Sequence, residues 1–300
     1  MNQIDNKNTA VGKEYIFSLK EITLKDLARA GGKAASLGEL FHIMPIPEGF
    51  CITTEAYNEI LQKYNTEFIQ LLEKRKTENR EELENISQII KQKIINVQLP
   101  QEIETEIREN YNKLGGKVAV RSSAISEDGN DFSFAGQQDT FLNIEGEDAV
   151  ITAVKKCWAS LFNSRAIHYR EKNGFKHEEA SIAVVVQKMV EADIAGVTFT
   201  ANPINKSADE IVIEACFGLG EKLVSGEVTP DLFIIDKNSF SIKQELLHLG
   251  KRTLTEEQLK KLAALAIKIE LYYKKPIDIE WAIKNNEIFI LQARPITTLK

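Results

Sequence analysis

The sequence is poor in the residues that most often announce a chemistry. Its 300 residues include three cysteines, four histidines, three methionines and two tryptophans. Cys51, Cys157 and Cys216 lie far apart and are odd in number. That argues against a disulfide framework or a cysteine metal site and fits reduced core thiols in a cytoplasmic protein. His42, His168, His177 and His248 lack metal-ligand spacing. No apolar run approaches bilayer length and the N-terminus has no apolar signal core, so no membrane partner is expected. Positive charge is in deficit: 38 Lys and Arg against 44 Asp and Glu leave a formal charge of −6. This argues against a nucleic-acid partner and leaves room for a local basic pocket. There are no internal repeats or low-complexity tracts.

The pattern is helix-rich in the first half and strand-rich in the second. Residues 55–113 carry helical spacing, with Lys74 to Glu84 charged enough to read as a solvated connection; Glu147 to Asn173 reads as one long amphipathic helix. Pro100 suits a helix start, Gly115-Gly116 a helix end, and Thr255-Glu-Glu-Gln258 is a capping box. Strands are expected near Tyr15–Leu19, Phe50–Ile52, Lys117–Arg121 and Ser181–Gln187, and then in quick succession to the end of the chain. Phe132 to Ile144 reads as a glycine-containing hairpin. This is an α+β pattern of two lobes, 1–187 and 188–300, with the boundary after Gln187.

The last strand pair is the most informative stretch. Pro276–Ile283 and Ile288–Pro295 are apolar runs around a short polar turn, yet Asp278 and Glu280 interrupt the first and Gln292 and Arg294 the second. Alternation puts each pair on one face. The two pairs share a face only when an odd number of residues separates the strands, so an odd hairpin loop is expected in place of a two-residue Asn-Asn turn. Two carboxylates, an amide and a guanidinium in one patch suggest a metal-and-phosphate site. The residues alone leave open an ordinary buried ion pair of Arg294 with Asp278 or Glu280.

Other candidates are individually weak. Gly31-Gly32-Lys33 opens a helix, where backbone amides and a lysine suit an anion, but its spacing is not that of a Walker loop. Arg121 ends a buried β run and suits bidentate phosphate binding, with a surface ion pair to Glu127 or Asp128 as the alternative. Gly136 and Thr140 lie in a small-residue flap of the kind that lays amides over phosphates, or in a plain hairpin. Gln187, Met189 and Val190 stand at the expected boundary, where a purine would find backbone groups and an apolar sandwich. Glu214, Glu221 and Asp231 fall in or beside a turn-rich stretch without a ranking among them. Together these features are what an ATP site between two lobes requires.

Seven stretches, in order, resemble a known family: Gly-Gly-Lys-Ala-Ala-Ser-Leu-Gly (31–38), Val-Arg-Ser-Ser-Ala (120–124), Phe-Ala-Gly-Gln-Gln-Asp-Thr-Phe-Leu-Asn (134–143), Cys-Trp-Ala-Ser-Leu-Phe (157–162), Val-Val-Gln-Lys-Met-Val (185–190), Gly-Leu-Gly-Glu (218–221), and Asp-Ile-Glu-Trp-Ala with Leu-Gln-Ala-Arg-Pro. The family is the N-terminal nucleotide-binding domain shared by phosphoenolpyruvate synthase, pyruvate, phosphate dikinase and rifampicin phosphotransferase. The resemblance implies an ATP-grasp-like fold with ATP and Mg²⁺ between two lobes. It implies that Lys33 and Arg121 hold the phosphates, with Gly136 and Thr140 in the loop over them. Gln187, Met189 and Val190 would surround the adenine, Glu280 and Gln292 would take the metal side with Asp278 in the same motif, and Arg294 would meet a phosphate. The family phosphorylates a histidine on a mobile domain, and no matching Thr- and Gly-rich loop occurs in these 300 residues. The expectation is an ATP-binding phosphotransferase module whose acceptor histidine lies on a separate domain or subunit. The ATP domain of a rifampicin phosphotransferase and a non-enzymatic nucleotide-binding module are the alternatives.

Overall fold

The computed structural model describes residues 14–74, 80–124, 139–248, 250–296 and 299. The first half runs β1 (Ile16–Ser18), α1 (Leu27–Leu40), β2 (Gly49–Ile52), α2 (Thr54–Leu61), α3 (Asn65–Glu73), α4 (Arg80–Ile95), α5 (Gln101–Leu114), β3 (Val118–Ala124), β4 (Thr140–Ile144), α6 (Glu147–Ser160), α7 (Ser164–Lys172) and β5 (Ile182–Lys188). The second half runs β6 (Ile194–Phe199), β7 (Glu210–Phe217), α8 (Glu221–Val224), β8 (Asp231–Asp236), β9 (Ile242–Leu246), α9 (Glu256–Tyr273), β10 (Ile277–Lys284) and β11 (Glu287–Pro295). The α+β expectation holds. One sheet has the order β1-β2-β5-β3-β4, the other β11-β10-β6-β7-β8-β9.

Period-two alternation assigns each face. In β3 and β5, Val118, Val120, Val184 and Val186 pack into a core with the helices from α2 to α7. The alternate residues Ala183 and Val185 face the other way, into a second core with α1, α9 and the inner face of the six-stranded sheet. There Ile211, Ile213, Phe233, Ile279 and Trp281 are buried, each contributing about 1.5–3 kcal/mol by leaving water. Helix α1 lies between the sheets. Ser123 Oγ of β3 accepts from Ala34 N at 3.1 Å and donates to Ala30 O at 2.8 Å, while Ser36 Oγ donates to the Ala293 carbonyl of β11 at 2.6 Å.

Two local expectations are corrected. The single helix over 147–173 is two, α6 and α7, broken at Leu161–Asn163. Phe162 turns into the core, its carbonyl accepts from Ser87 Oγ at 2.6 Å, and Asn163 has left the helical region as the cap of α7. The final hairpin has the two-residue Asn285-Asn286 turn, with Lys284 opposite Glu287 and both asparagines at positive φ, the mirror-turn geometry that suits strand twist. The odd residue sits inside β11 instead. Glu280 pairs with Gln292 but Trp281 with Ile290, so Leu291 is an extra residue in a β-bulge. The bulge does the work assigned to the loop: Ile290 and Ala293 both face the core, and Gln292 and Arg294 face the same side as Glu280 and Asp278. The charge-rich stretch near Lys74 is in part helix, since α4 begins at Arg80. Of the hairpin expected over 132–144, the described part is β4; Gly136, Glu127 and Asp128 lie outside the described residues.

Candidate functional site

Lys33 owes its position to a break in a helix. Gly31 has φ 71° and ψ 171°, so α1 kinks there, two residues before Lys33, and its continuous helical part starts afterwards. No other residue fits, because a Cβ on Gly31 would stand 2.1 Å from the Ser123 carbonyl oxygen. The glycine motif and the Val-Arg-Ser-Ser-Ala motif are therefore one construction, in which Ser123 stitches the kink to β3 while Arg121, two residues earlier, emerges on the same face.

These side chains meet in a cleft of about 900 Å³ between the two sheets. Lys33, Arg121, Thr140, Gln187, Met189, Val190, Glu280, Gln292 and Arg294 all line it. Asp278 does not. It sits behind Arg294, accepting from Arg294 Nε and Nη2 on one oxygen at 2.9 Å each. Its other oxygen is buried with no hydrogen-bond partner. Burial pushes the Asp278 carboxyl above its ordinary range, and the Arg294 guanidinium pulls against that. The ion pair of Arg294 with Asp278 that the residues left open is present, while Glu280 and Gln292 line the cleft beside it.

A second pair spans the cleft. Arg121 is 9 % exposed, and its Nη1 donates to Glu280 Oε2 at 3.4 Å; Glu127 and Asp128, its alternative partners, lie outside the described residues. The contact is long, and Arg121 Nε is buried without a partner. At the other end, Gln187 donates through Nε2 to the Pro47 carbonyl at 3.2 Å and leaves Oε1 buried and unpartnered. Native interiors satisfy nearly all such atoms. Three such atoms, on Arg121, Gln187 and Asp278, lie in or behind the cleft, where a bound group could meet them. The structure adds residues that spacing did not rank, notably Asp139, Lys188 and Glu221 on the cleft wall. Lys188 was bracketed by Gln187 and Met189, and Glu221 closes the Gly-Leu-Gly-Glu turn, so both had a signal. Asp231, by contrast, is buried and caps a loop, accepting from the backbone of His248 at 2.8 Å and Thr253 at 2.9 Å. Glu214 lies on the cleft-side face of β7 next to Asp278, pushed up by burial and by that neighbouring carboxylate.

Residues 27–300 match the family model described as pyruvate phosphate dikinase, AMP/ATP-binding domain. The chain belongs to this family. Among its relatives, the probable phosphoenolpyruvate synthase of Methanocaldococcus jannaschii is 40 % identical over 96 % of this chain and 27 % of its own length. That of Archaeoglobus fulgidus is 44 % identical over 94 % of this chain and 41 % of its own. The rifampicin phosphotransferase of Bacillus subtilis is 40 % identical over 95 % of this chain and 36 % of its own. The chain therefore spans well under half of each of these relatives. Within the family domain, the cleft gathers cations from α1, β3 and β11 and hard oxygen donors from β10 and β11.

Among the described residues no three His, Cys, Asp or Glu side chains cluster as a metal cage. The donor set on the wall is one carboxylate, Glu280, with the Gln292 amide directly opposite it. That set fits Mg²⁺, which takes one or two carboxylates and completes its shell with phosphate oxygens and water.

Proposed function

We propose that this cleft binds ATP with Mg²⁺ and that the chain is the ATP-binding, phosphoryl-donating module of an enzyme of phosphoenolpyruvate synthase (pyruvate, water dikinase) type, with an ATP-grasp-like fold. The observation that carries this reading is the convergence of Lys33, Arg121 and Arg294, from three separate elements, on the wall that also presents Glu280 and Gln292. These three cations, with Lys188 also on the wall, suit a polyphosphate, and charge spread over phosphoryl oxygens during transfer is stabilised by groups positioned in this way. Arg294 is held by Asp278, which we assign to orienting the guanidinium in place of ligating the metal. Glu280 and Gln292 would hold Mg²⁺, which neutralises phosphate charge when bound. Thr140 belongs to the cover over the phosphates in this reading; Gly136, assigned there by the resemblance, lies outside the described residues. At the far end the unpartnered Gln187 Oε1 suits the exocyclic amine of adenine, between Met189 and Val190.

The phosphoryl acceptor in this reading is a histidine on a further domain or subunit. The three cysteines are buried free thiols, which supports a reducing, cytoplasmic compartment. Similarity to the Bacillus subtilis rifampicin phosphotransferase supports a second reading that differs only in the final acceptor. The test is calorimetry with ATP and Mg²⁺. Wild type binds; Glu280→Ala and Arg294→Ala each weaken binding about ten- to a hundredfold, the worth of a hydrogen bond to a charged group. Failure of the wild type to bind ATP sinks the reading. Phosphohistidine formed on this chain alone overturns the acceptor assignment.

A further inference from the structure

A hydroxyl inside a helix ordinarily bonds back to its own preceding turn. Thr152 Oγ1 donates to the Asp148 carbonyl at 2.8 Å and Ser160 Oγ to the Cys157 carbonyl at 2.7 Å, both within α6. Ser36 departs from that habit. It is buried in α1, and its hydroxyl leaves the helix to donate to the Ala293 carbonyl of β11 at 2.6 Å. That uses its one proton, so the Tyr273 hydroxyl at the end of α9, 3.1 Å away, is the donor to Ser36 Oγ. One buried serine thus ties α1, β11 and α9.

Both ends of the tie lie next to a cleft cation. Lys33 is three residues before Ser36, a neighbouring position on the helix surface. Ala293 immediately precedes Arg294, and alternation sends Ala293 into the core while Arg294 lines the cleft. Strand β11 is the edge of its sheet and carries the bulge at Leu291, so β10 alone among the strands holds its course. The α1 region supplies the other side, since the Pro45 carbonyl also accepts from Ile290 N at 2.9 Å. Further bonds from this region to α9, Tyr272 to Glu39 and Lys268 to the Ile43 carbonyl, lie farther along the chain from Lys33. Ser36 is therefore the tie beside the cation, just as Ser123 ties the start of the same helix to β3 beside Arg121. Ser36 itself is not on the cleft wall.

We propose that Ser36 is a positioning residue for phosphate binding: its bond to Ala293 sets the spacing of Lys33 and Arg294, so that both cations reach one polyphosphate chain. The assignment rests on the nucleotide reading above. It is tested by calorimetry of the full chain with Mg-ATP and with adenosine, which has no phosphate. Ser36→Ala should weaken Mg-ATP roughly three- to tenfold, the worth of one hydrogen bond, and leave adenosine nearly unchanged. In an Arg294→Ala background the same substitution should cost Mg-ATP nothing further, because spacing matters only while both cations are present. Ser87→Ala is the control. Ser87 is equally buried and its hydroxyl also donates to a carbonyl at 2.6 Å, that of Phe162, in the other core. Its loss should lower thermal stability and leave both ligands unchanged. Should Ser36→Ala fail to fold, Tyr273→Phe, which removes the donor to Ser36, should show the same pattern at reduced size. Four results overturn the positioning role and leave the nucleotide reading standing: no loss of Mg-ATP in the folded variant (Tyr273→Phe where Ser36→Ala does not fold), equal losses for Mg-ATP and adenosine, an undiminished loss in the Arg294→Ala background, or the same ligand pattern in Ser87→Ala. No Mg-ATP binding by wild type overturns both.

Discussion

Glu210 and Glu214 stand four residues apart on β7, on the same face, and are in opposite electrostatic condition. Glu210 accepts from Lys243 at 2.8 Å, Asn202 at 2.8 Å and Asn205 at 2.9 Å. Those donors, Lys243 foremost, hold its carboxyl down to about 2. Glu214, towards the cleft, is pushed up by burial and then by Asp278. The same contrast separates two arginines. Arg108 is met by Glu104, Glu147 and Asp148, each at 2.7 Å. Arg121 has one contact at 3.4 Å and a buried, unpartnered Nε. Glu210 and Arg108, away from the cleft, are met by several protein partners each. At the cleft, Arg121 and Asp278 each keep a buried atom without a hydrogen-bond partner, which costs stability and is recovered when a ligand supplies the missing atoms.

The largest test of this contrast exchanges the two arginines' fates. Arg121→Ala should weaken Mg-ATP about ten- to a hundredfold. Arg108→Ala should leave that affinity unchanged and lower the melting temperature only modestly, as expected for solvent-screened ion pairs. Comparable losses of nucleotide affinity in both would erase the distinction. A smaller effect follows from the Arg121–Glu280 contact across the cleft. Phosphate must draw Arg121 away and metal must occupy Glu280, so each arrival frees the partner of the other. ATP should bind roughly tenfold tighter with Mg²⁺ than with a chelator, a coupling of a size usual between sites. In Glu280→Gln that factor should shrink towards one, because the amide neither holds Arg121 as a charge nor ligates as a carboxylate. A metal dependence that survives the substitution intact places the metal elsewhere.

Much of this was legible in the residues. Alternation along β10 and β11 put Asp278, Glu280, Gln292 and Arg294 on one face, and parity required one extra residue. Parity does not say where the residue goes, and Asn-Asn at positive φ accepts the tight turn as readily as a longer loop would. The bulge at Leu291 shows only in the register. The capping box at Thr255 and the glycine stop of α5 follow from backbone chemistry and appear as expected. The break between α6 and α7 was hidden, because the Ser87 hydroxyl and the core position of Phe162 that enforce it are tertiary facts. Asp278 was grouped with the metal side by its motif. Its place behind Arg294 depends on how two side chains share a strand pair, which spacing cannot encode.

The smallest effect is also the most direct comparison, since it stays on one strand. Glu210 has a depressed folded-state pKa, so its contribution to stability is present above the ordinary carboxylate value of ~4.3 and is lost as pH falls towards about 2. Glu214 has a raised one, so its ionised form costs stability at neutral pH, and that cost disappears as the group protonates. Glu210→Gln should therefore lower the urea midpoint at pH 7, and the difference should close as pH falls to 2–3. Glu214→Gln should raise the midpoint at pH 7 and converge with wild type near pH 4. The sign is the test. Two neutral amides differing only by four places on one strand should move stability in opposite directions. If both lower it, Glu214 is as well satisfied as Glu210, and the contrast between the two ends of β7 fails.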